Sequence, residues 1–323
     1  MRGILGAVVA ASLVGCSTVS FYDVEDPVIG NWGLTLTDCR KANAGSLIVS
    51  RTGDGAPEAL FLWRCASPAF TTNVTLNGKD FKVVHPDGVT LSGSVDGLEL
   101  SATATDADGK TVSQVRGWRN PPVPSRFSTS DIIRGEPIDL LADGVGGWTA
   151  ADPDAKNGWA IHDDDGVRIL SNSLGRADDG SVPVGTDLRT LREDFYDFNL
   201  EYDVRVRPGT DSGVFLRGRY EIQVADSHGK SVSPFGMGAY CGRVAPSDAV
   251  EKPAGEWQHV SVTLFKRHLS VVLNGVTVLD SVPVVGVTGG AMDANEFARG
   301  PIRLQGDRSD VDFKNIILRP ALN

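Results

Sequence analysis

Alternation with a period of two dominates the chain. Between residues 28 and 118 the runs "NWGLTLTD", "SLIVSR", "ALFLWRCA", "TTNVTL", "DFKVVH", "VTLSGSV", "LELSATAT" and "TVSQVRGW" alternate or run apolar, which is the pattern of half-buried strands. Turn signals separate them: Gly53-Asp54-Gly55, Asn77-Gly78, Asp87-Gly88, Asp96-Gly97 and Asp108-Gly109. Such pairs supply the positive backbone angles of tight hairpins. Short strands joined by tight turns predict a small antiparallel meander barrel over 28–118.

Residues 119–134, beginning "RNPPVPSRFSTS", are Pro- and Ser-rich without a period and read as a linker. The region 135–323 returns to strands. "FNLEYDVRVR" alternates Phe198, Leu200, Tyr202, Val204 and Val206 against polar residues. "WQHVSVTLFKRHLSVVLNGVTVLD" reads as two or three strands turning at Lys266-Arg267 and Asn274-Gly275. Helical periodicity is nearly absent, so the chain is expected to be all-β, with a sandwich after the barrel. The stretch "SGVFLRGRYEIQVADSHG" reads as one strand with two different faces. One parity carries Val214, Leu216, Gly218, Tyr220, Ile222 and Val224; the other carries Phe215, Arg217, Arg219, Glu221 and Gln223. By residue type alone that polar row is a solvated sheet face laced with ion pairs.

The first residues change the picture of where the protein resides. Arg2 precedes an apolar stretch, Ile4 to Val14, that is too short to span a bilayer. Leu13-Val14-Gly15-Cys16 resembles a bacterial lipobox. The resemblance implies a signal peptide over 1–15, lipidation at Cys16 and a short tether over 16–27. Ser17 rather than Asp follows the Cys, which implies an envelope lipoprotein of the outer membrane facing the periplasm. Loss of Arg2 with the leader leaves 30 basic residues against 41 acidic ones, a formal charge of −11. A chain this acidic is a poor match for nucleic acid or anionic lipid. Of the remaining cysteines, Cys39 and Cys65 lie in one region and are candidates to pair in an oxidising compartment. Cys241 reads as a buried thiol.

Longer stretches carry a family resemblance. "TDLRTLREDFYDFNLEYDVRVRPGTDSGVFLRGRYEIQVADSHG", "PAGEWQHVSVTLFKRHLSVVLNGVTVLD" and "GPIRLQGD…VDFKNIILRP" follow one another at the expected spacing and resemble the 3-keto-disaccharide hydrolase family. The opening "DGVGGW…NGWAIHDDDGV" is similar to that family's start. The resemblance implies a concanavalin-like jelly-roll sandwich that cleaves glycosides whose sugar is a ketone at carbon 3. Asp211 stands where the family's Asn is expected, and Arg308-Ser309 where its His-Gly is expected. In the barrel region, Gly30-Asn31-Trp32 and Arg116 resemble the Gly-x-Trp and late Arg of lipocalin-like barrels.

The implied chemistry sets the roles. A ketone at carbon 3 acidifies the hydrogen on carbon 2, and the oxygen on carbon 1 can then leave by elimination. Such a site needs a base, a cationic or hydrogen-bonding group at the ketone oxygen and an acid at the leaving oxygen. On the resemblance, the polar row lies on the concave face. Glu221 is then the candidate base, Arg217 and Arg219 the enolate stabilisers, and Asp226 an acid. Gln223, Gln305, Asp307 and His228 are candidates to hold the sugar, His228 also as an acid. Two flanking guanidiniums are expected to keep Glu221 ionised, while enclosure in a sugar site pushes the other way. Asp293 and Glu296 read as members of a polar loop. His162-Asp163-Asp164-Asp165-Gly166 reads as a strand-joining turn rather than a calcium loop. No motif names a cofactor, and a divalent metal stays open. The Glu-x-Asp-x-x-Glu strand of laminarinase-like jelly rolls is missing, since Glu201-Tyr202-Asp203 continues into Val204, Arg205 and Val206, which argues against ordinary two-carboxylate hydrolysis. The substrate implied is a 3-keto-glycoside supplied by a separate sugar 3-dehydrogenase. Two other readings stay open: a carbohydrate-binding lipoprotein on the same fold, and a structural envelope lipoprotein.

Overall fold

The computed structural model describes residues 26–37, 43–64, 67–124, 129–175 and 183–323. The lipidation site Cys16 and the Cys39–Cys65 pairing lie outside the described residues. Among the described residues the fold is all-β, with two short 3-10 turns and no α-helix.

The first sheet is a meander of nine strands: β1 (Gly30–Leu36), β2 (Ala44–Arg51), β3 (Pro57–Leu62), β4 (Ala69–Thr71), β5 (Val74–Asn77), β6 (Asp80–Val84), β7 (Thr90–Asp96), β8 (Glu99–Thr105) and β9 (Thr111–Asn120). Their spatial order is β4-β3-β2-β1-β9-β8-β7-β6-β5, and β3 approaches β5 to bring the barrel almost to closure. The sequence pattern missed β4, whose three residues are too few to display a period. The interior is filled: Trp32, Leu34, Leu47, Phe61, Val83 and Leu91 are fully buried. Side chains of this size fill the middle of a small barrel as a core.

The guanidinium on Trp32 is a correction. Arg116 is exposed, and Arg119 instead lies 4.3 Å from the Trp32 ring and donates to the carbonyls of Pro27 and Ile29. The positions differ by three residues, an odd number, so they point to opposite faces of β9.

The remaining strands are β10 (Ile138–Asp139), β11 (Trp148–Ala150), β12 (Trp159–Asp164), β13 (Val167–Asn172), β14 (Leu188–Thr190), β15 (Phe198–Val206), β16 (Asp211–Leu216), β17 (Tyr220–Ala225), β18 (Gln258–Phe265), β19 (His268–Leu273), β20 (Val276–Pro283), β21 (Arg303–Leu304) and β22 (Val311–Pro320). They build a sandwich. One sheet runs β12-β13-β22-β15-β18-β19-β20, with β10 paired to β22, and the other runs β11-β14-β21-β16-β17. Left-handed angles at Lys266, Arg267, Asn274 and Gly275 make the two turns expected between β18, β19 and β20. Asp165 and Gly166 likewise turn β12 into β13, and Gly166 N donates to Asp163 Oδ1 at 2.7 Å.

The inner faces of the two sheets meet in one apolar core through Leu200, Val204, Val214, Leu216, Ile222, Val262, Val271 and Phe313. Ala44 and Leu62 of the barrel join this core, and Trp118 packs against it. The barrel is therefore packed onto the sandwich along apolar surface, not hung from it by a free tether.

Candidate active site

The stretch read as one strand is a hairpin. β16 pairs with β17 from Asp211↔Ala225 to Leu216↔Tyr220, and Arg217, Gly218 and Arg219 form the turn. Arg217 and Gly218 have φ of 52° and 67°, and Arg219 N donates to Leu216 O at 3.0 Å. This is the left-handed geometry of a tight hairpin turn, which Gly218 tolerates at no steric cost. The three-residue connection keeps the alternation in phase across the turn. Val214, Leu216, Tyr220, Ile222 and Val224 enter the core, while Phe215, Glu221 and Gln223 line an open cleft.

The polar row exists, but it runs across strands. Register places Arg189 of β14 opposite Arg303 of β21, Arg303 opposite Phe215 of β16, and Phe215 opposite Glu221 of β17. In an antiparallel sheet, partners so placed share one face. A second row sets Gly213 opposite Gln223, and Gln305 N donates to Gly213 O at 2.8 Å. These rows floor a cleft of about 890 Å³, to which Asp187, Asp211, Gln305 and Asp307 also contribute. That volume suits a sugar with an aglycone.

Arg303 is the cation of the floor. Its guanidinium carbon lies 3.9 Å from the centroid of the Phe215 ring, Nη2 donates to Gly290 O at 2.5 Å, and Nε is 3.5 Å from Asp187 Oδ2. Arg189 pairs with Glu193 four residues on.

Glu221 is 6% exposed. Burial pushes its carboxyl up to about 7; the Cys241 thiol hydrogen bond and the charge of Arg303 pull the other way, and Asp211 and Asp187 push it up further. Of the two opposing effects expected, enclosure outweighs charge, and Arg217 and Arg219 are engaged by other partners. Burial and the neighbouring Glu221 raise the Cys241 thiol, so it stays a protonated donor. Glu221 N donates to Thr288 Oγ1 at 3.0 Å, and Cys241 N to Glu221 O at 3.0 Å. Space for the carboxylate comes from Gly213, where an added Cβ would lie 2.3 Å from Glu221 Oε1. Partial burial and Asp307 raise Asp211, against Arg308.

Four candidates lie away from the cleft floor. Arg217, 1% exposed, packs beside the rings of Tyr196 and Tyr220 and donates from Nη2 to Tyr220 Oη and Glu296 O. Arg219 forms a two-point pair with Asp293, Nε to Oδ1 at 2.8 Å and Nη2 to Oδ2 at 2.6 Å. Both leave the row because the turn ends the strand before them. Asp226 accepts from Gly209 N at 2.8 Å in a loop, and His228 Nδ1 contacts Glu251 O at 2.8 Å. Both lie beyond the end of β17. Ser309 and Asn172 brace the turn that follows Gln305.

Arg303 and Asp187 escaped the sequence reading. The signal for Arg303 was present: in "PIRLQGD" it shares its parity with Gln305 and Asp307. Among the described residues no group of three or more His, Cys, Asp and Glu side chains converges to hold a metal ion.

Residues 137–319 match the family described as the 3-keto-alpha-glucoside-1,2-lyase-like domain. A search of curated proteins finds no match. Among solved structures, a candidate glycosyl hydrolase from Parabacteroides distasonis is 22% identical, with 62% of this chain and 93% of that one covered and a TM-score of 0.43. A second one from the same organism is 22% identical over 58% of this chain and 100% of that one, with a TM-score of 0.42. A carbohydrate binding module of Bacillus subtilis is 16% identical over 53% of this chain and 93% of that one, with a TM-score of 0.34.

Proposed function

Because this chain belongs to the 3-keto-alpha-glucoside-1,2-lyase-like domain family, we propose that it cleaves the glycosidic bond of 3-keto-glycosides by proton abstraction at carbon 2. The observation that carries this reading is the cross-strand row Arg303–Phe215–Glu221, with a buried carboxyl near pKa 7 and a guanidinium two strands away. A base whose pKa lies near the working pH is ionised in useful fraction and still basic enough to take a carbon-bound proton.

The steps follow from the floor. Ionised Glu221 takes the proton from carbon 2, and the electron pair left behind moves onto the ketone oxygen. Arg303 stabilises that enolate oxygen, in the position first expected of Arg217 and Arg219. The enolate then collapses: a double bond forms between carbons 1 and 2, and the bond from carbon 1 to its oxygen breaks. The departing oxygen takes up a proton from water in the open cleft, beside Asp211. Water adding to the enone completes a net hydrolysis. Gln223 and Gln305 offer amides to the sugar hydroxyls. Since the substrate already carries its ketone, a separate dehydrogenase must oxidise carbon 3 first, and an unoxidised disaccharide should not be turned over.

The test is Glu221→Gln in the mature chain, with a 3-keto-glucoside followed by NMR. Turnover and deuterium exchange at carbon 2 should both fall by roughly a hundredfold, the usual worth of a general base, while binding persists. Near wild-type turnover in the variant would remove Glu221 as the base. A wild-type protein that binds the 3-keto-glucoside without cleaving it would make the chain a carbohydrate-binding protein.

A further inference from the structure

A loop between β20 and β21, residues 284–300, is shared between the barrel and the cleft. On one side it meets the barrel. Asn31 and Asn120, cross-strand partners on β1 and β9, both aim their amides at Glu296 Oε1, at 3.2 and 2.5 Å. Glu296 is fully buried and also accepts from Gly286 N, Tyr220 Oη and Arg267 Nη2. Arg267 Nη1 continues to Pro121 O at 2.7 Å. β1 rests directly on the loop, since a Cβ at Gly33 would lie 2.8 Å from Ala294 O. Further along, Arg243 donates from Nη2 to Ser46 Oγ of β2 at 2.8 Å and from Nε to Val287 O at 3.1 Å.

On its other side the same loop holds the two groups to which the chemistry is assigned. Thr288 Oγ1 accepts from Glu221 N at 3.0 Å and donates to Arg219 O at 3.0 Å. Gly290 O accepts from Arg303 Nη2. Met292 N donates to Gly218 O at 3.0 Å, and Asp293 pairs with Arg219. The loop has no ladder of its own in the five-stranded sheet, so its place is set by what grips it. A buried carboxylate is a costly way to join two apolar surfaces, yet it fixes one geometry where apolar packing alone tolerates several.

We infer that the barrel is a working part of the site: through Glu296, a positioning residue, it sets the loop 284–300, and the loop sets Glu221 and Arg303. The inference rests on the reading of Glu221 and Arg303 as base and enolate stabiliser. It gives the barrel a task other than ligand binding.

The experiment uses the full mature chain with Asn31→Ala and Asn120→Ala combined, which removes the barrel's two amides and leaves every residue of the cleft in place. Two readouts are taken: turnover of a 3-keto-glucoside across pH, and hydrogen–deuterium exchange by mass spectrometry. Exchange should quicken in peptides spanning 284–300 and 217–225, and kcat should fall roughly tenfold or more, since a displacement of about 1 Å at reacting groups can cost about a hundredfold. The pH at which activity rises should move with it. Ser46→Ala, which removes only the anchor of Arg243, should act in the same direction and more weakly, and it serves if the double variant does not fold. Val83→Ala, deep in the barrel and away from the loop, should lower the melting temperature with kcat unchanged. Exchange or kcat within twofold of wild type in the double variant overturns the inference, as does an equal loss of kcat in Val83→Ala. If the wild type turns over no 3-keto-glycoside, the proposed reaction fails on its own, while the exchange data still report whether the barrel holds the loop.

Discussion

At Glu221 burial outweighs charge, and that ordering has measurable consequences. Its carboxyl stands near 7 in the folded chain against an ordinary value of 4.5. Between those pH values the folded state keeps a proton that the unfolded state has lost, so the stability this group contributes is fully present below 4.5 and is lost as pH rises through 7. The full difference is on the order of 3 kcal/mol. Glu221→Gln abolishes the ionisation. It should therefore melt several degrees above wild type at pH 8, with the gap closing by pH 4.5, as thermal melts at the two values would read. Activity has the opposite slope, because only the ionised base works: kcat/KM should climb through about pH 7. Cys241→Ala removes the thiol hydrogen bond that lowers Glu221, so the climb should move to higher pH in the pH–rate profile. A climb that stays in place would show that the thiol does not hold the carboxylate.

Among the elements, the β16–β17 hairpin decides which side chains meet. Alternation along "SGVFLRGRYEIQ" is legible in sequence, and the facing of Phe215, Glu221 and Gln223 follows from it. The turn was not legible as a turn, because Arg-Gly is a weaker signal than the Asn-Gly and Asp-Gly pairs that mark the barrel hairpins. Its consequence is large: two arginines drop out of the row, and a third arrives from β21, far along the chain. The hairpin also explains Gly213. A methyl group there would collide with Glu221 Oε1, so Gly213→Ala should swing the carboxylate aside and cost roughly tenfold or more in kcat, by the same sensitivity to small displacements. Gly146→Ala is the control, since nothing lies within 4 Å of its added Cβ, and kinetics and melts of the two variants side by side would settle it.

We propose that Cys16 carries a lipid and anchors the chain in the cell envelope, as Leu13-Val14-Gly15-Cys16 implies. Cys16→Ser should release the protein from membrane fractions or leave the precursor uncut; wild-type protein found soluble with an unmodified amino terminus removes the anchor. What the sequence determined by itself is what local periodicity and composition can encode: an all-β chain, a meander of short strands before a Pro/Ser-rich stretch and a sandwich after it, the apolar parity of the longer strands, and an excess of acidic over basic residues. The family resemblance brought Glu221, Gln223, Gln305 and Asp307 forward, and alternation kept Glu221 and Gln223 on one face wherever their strand goes. Only the tertiary structure decided which strands lie side by side. Register joined Arg303 and Phe215 to Glu221, packing desolvated the carboxyl, and the docked barrel turned Glu296 from a member of a polar loop into a buried anchor. Those three outcomes depend on contacts between residues far apart in sequence, and their free energies arise only when the two sheets and the barrel have closed on one another.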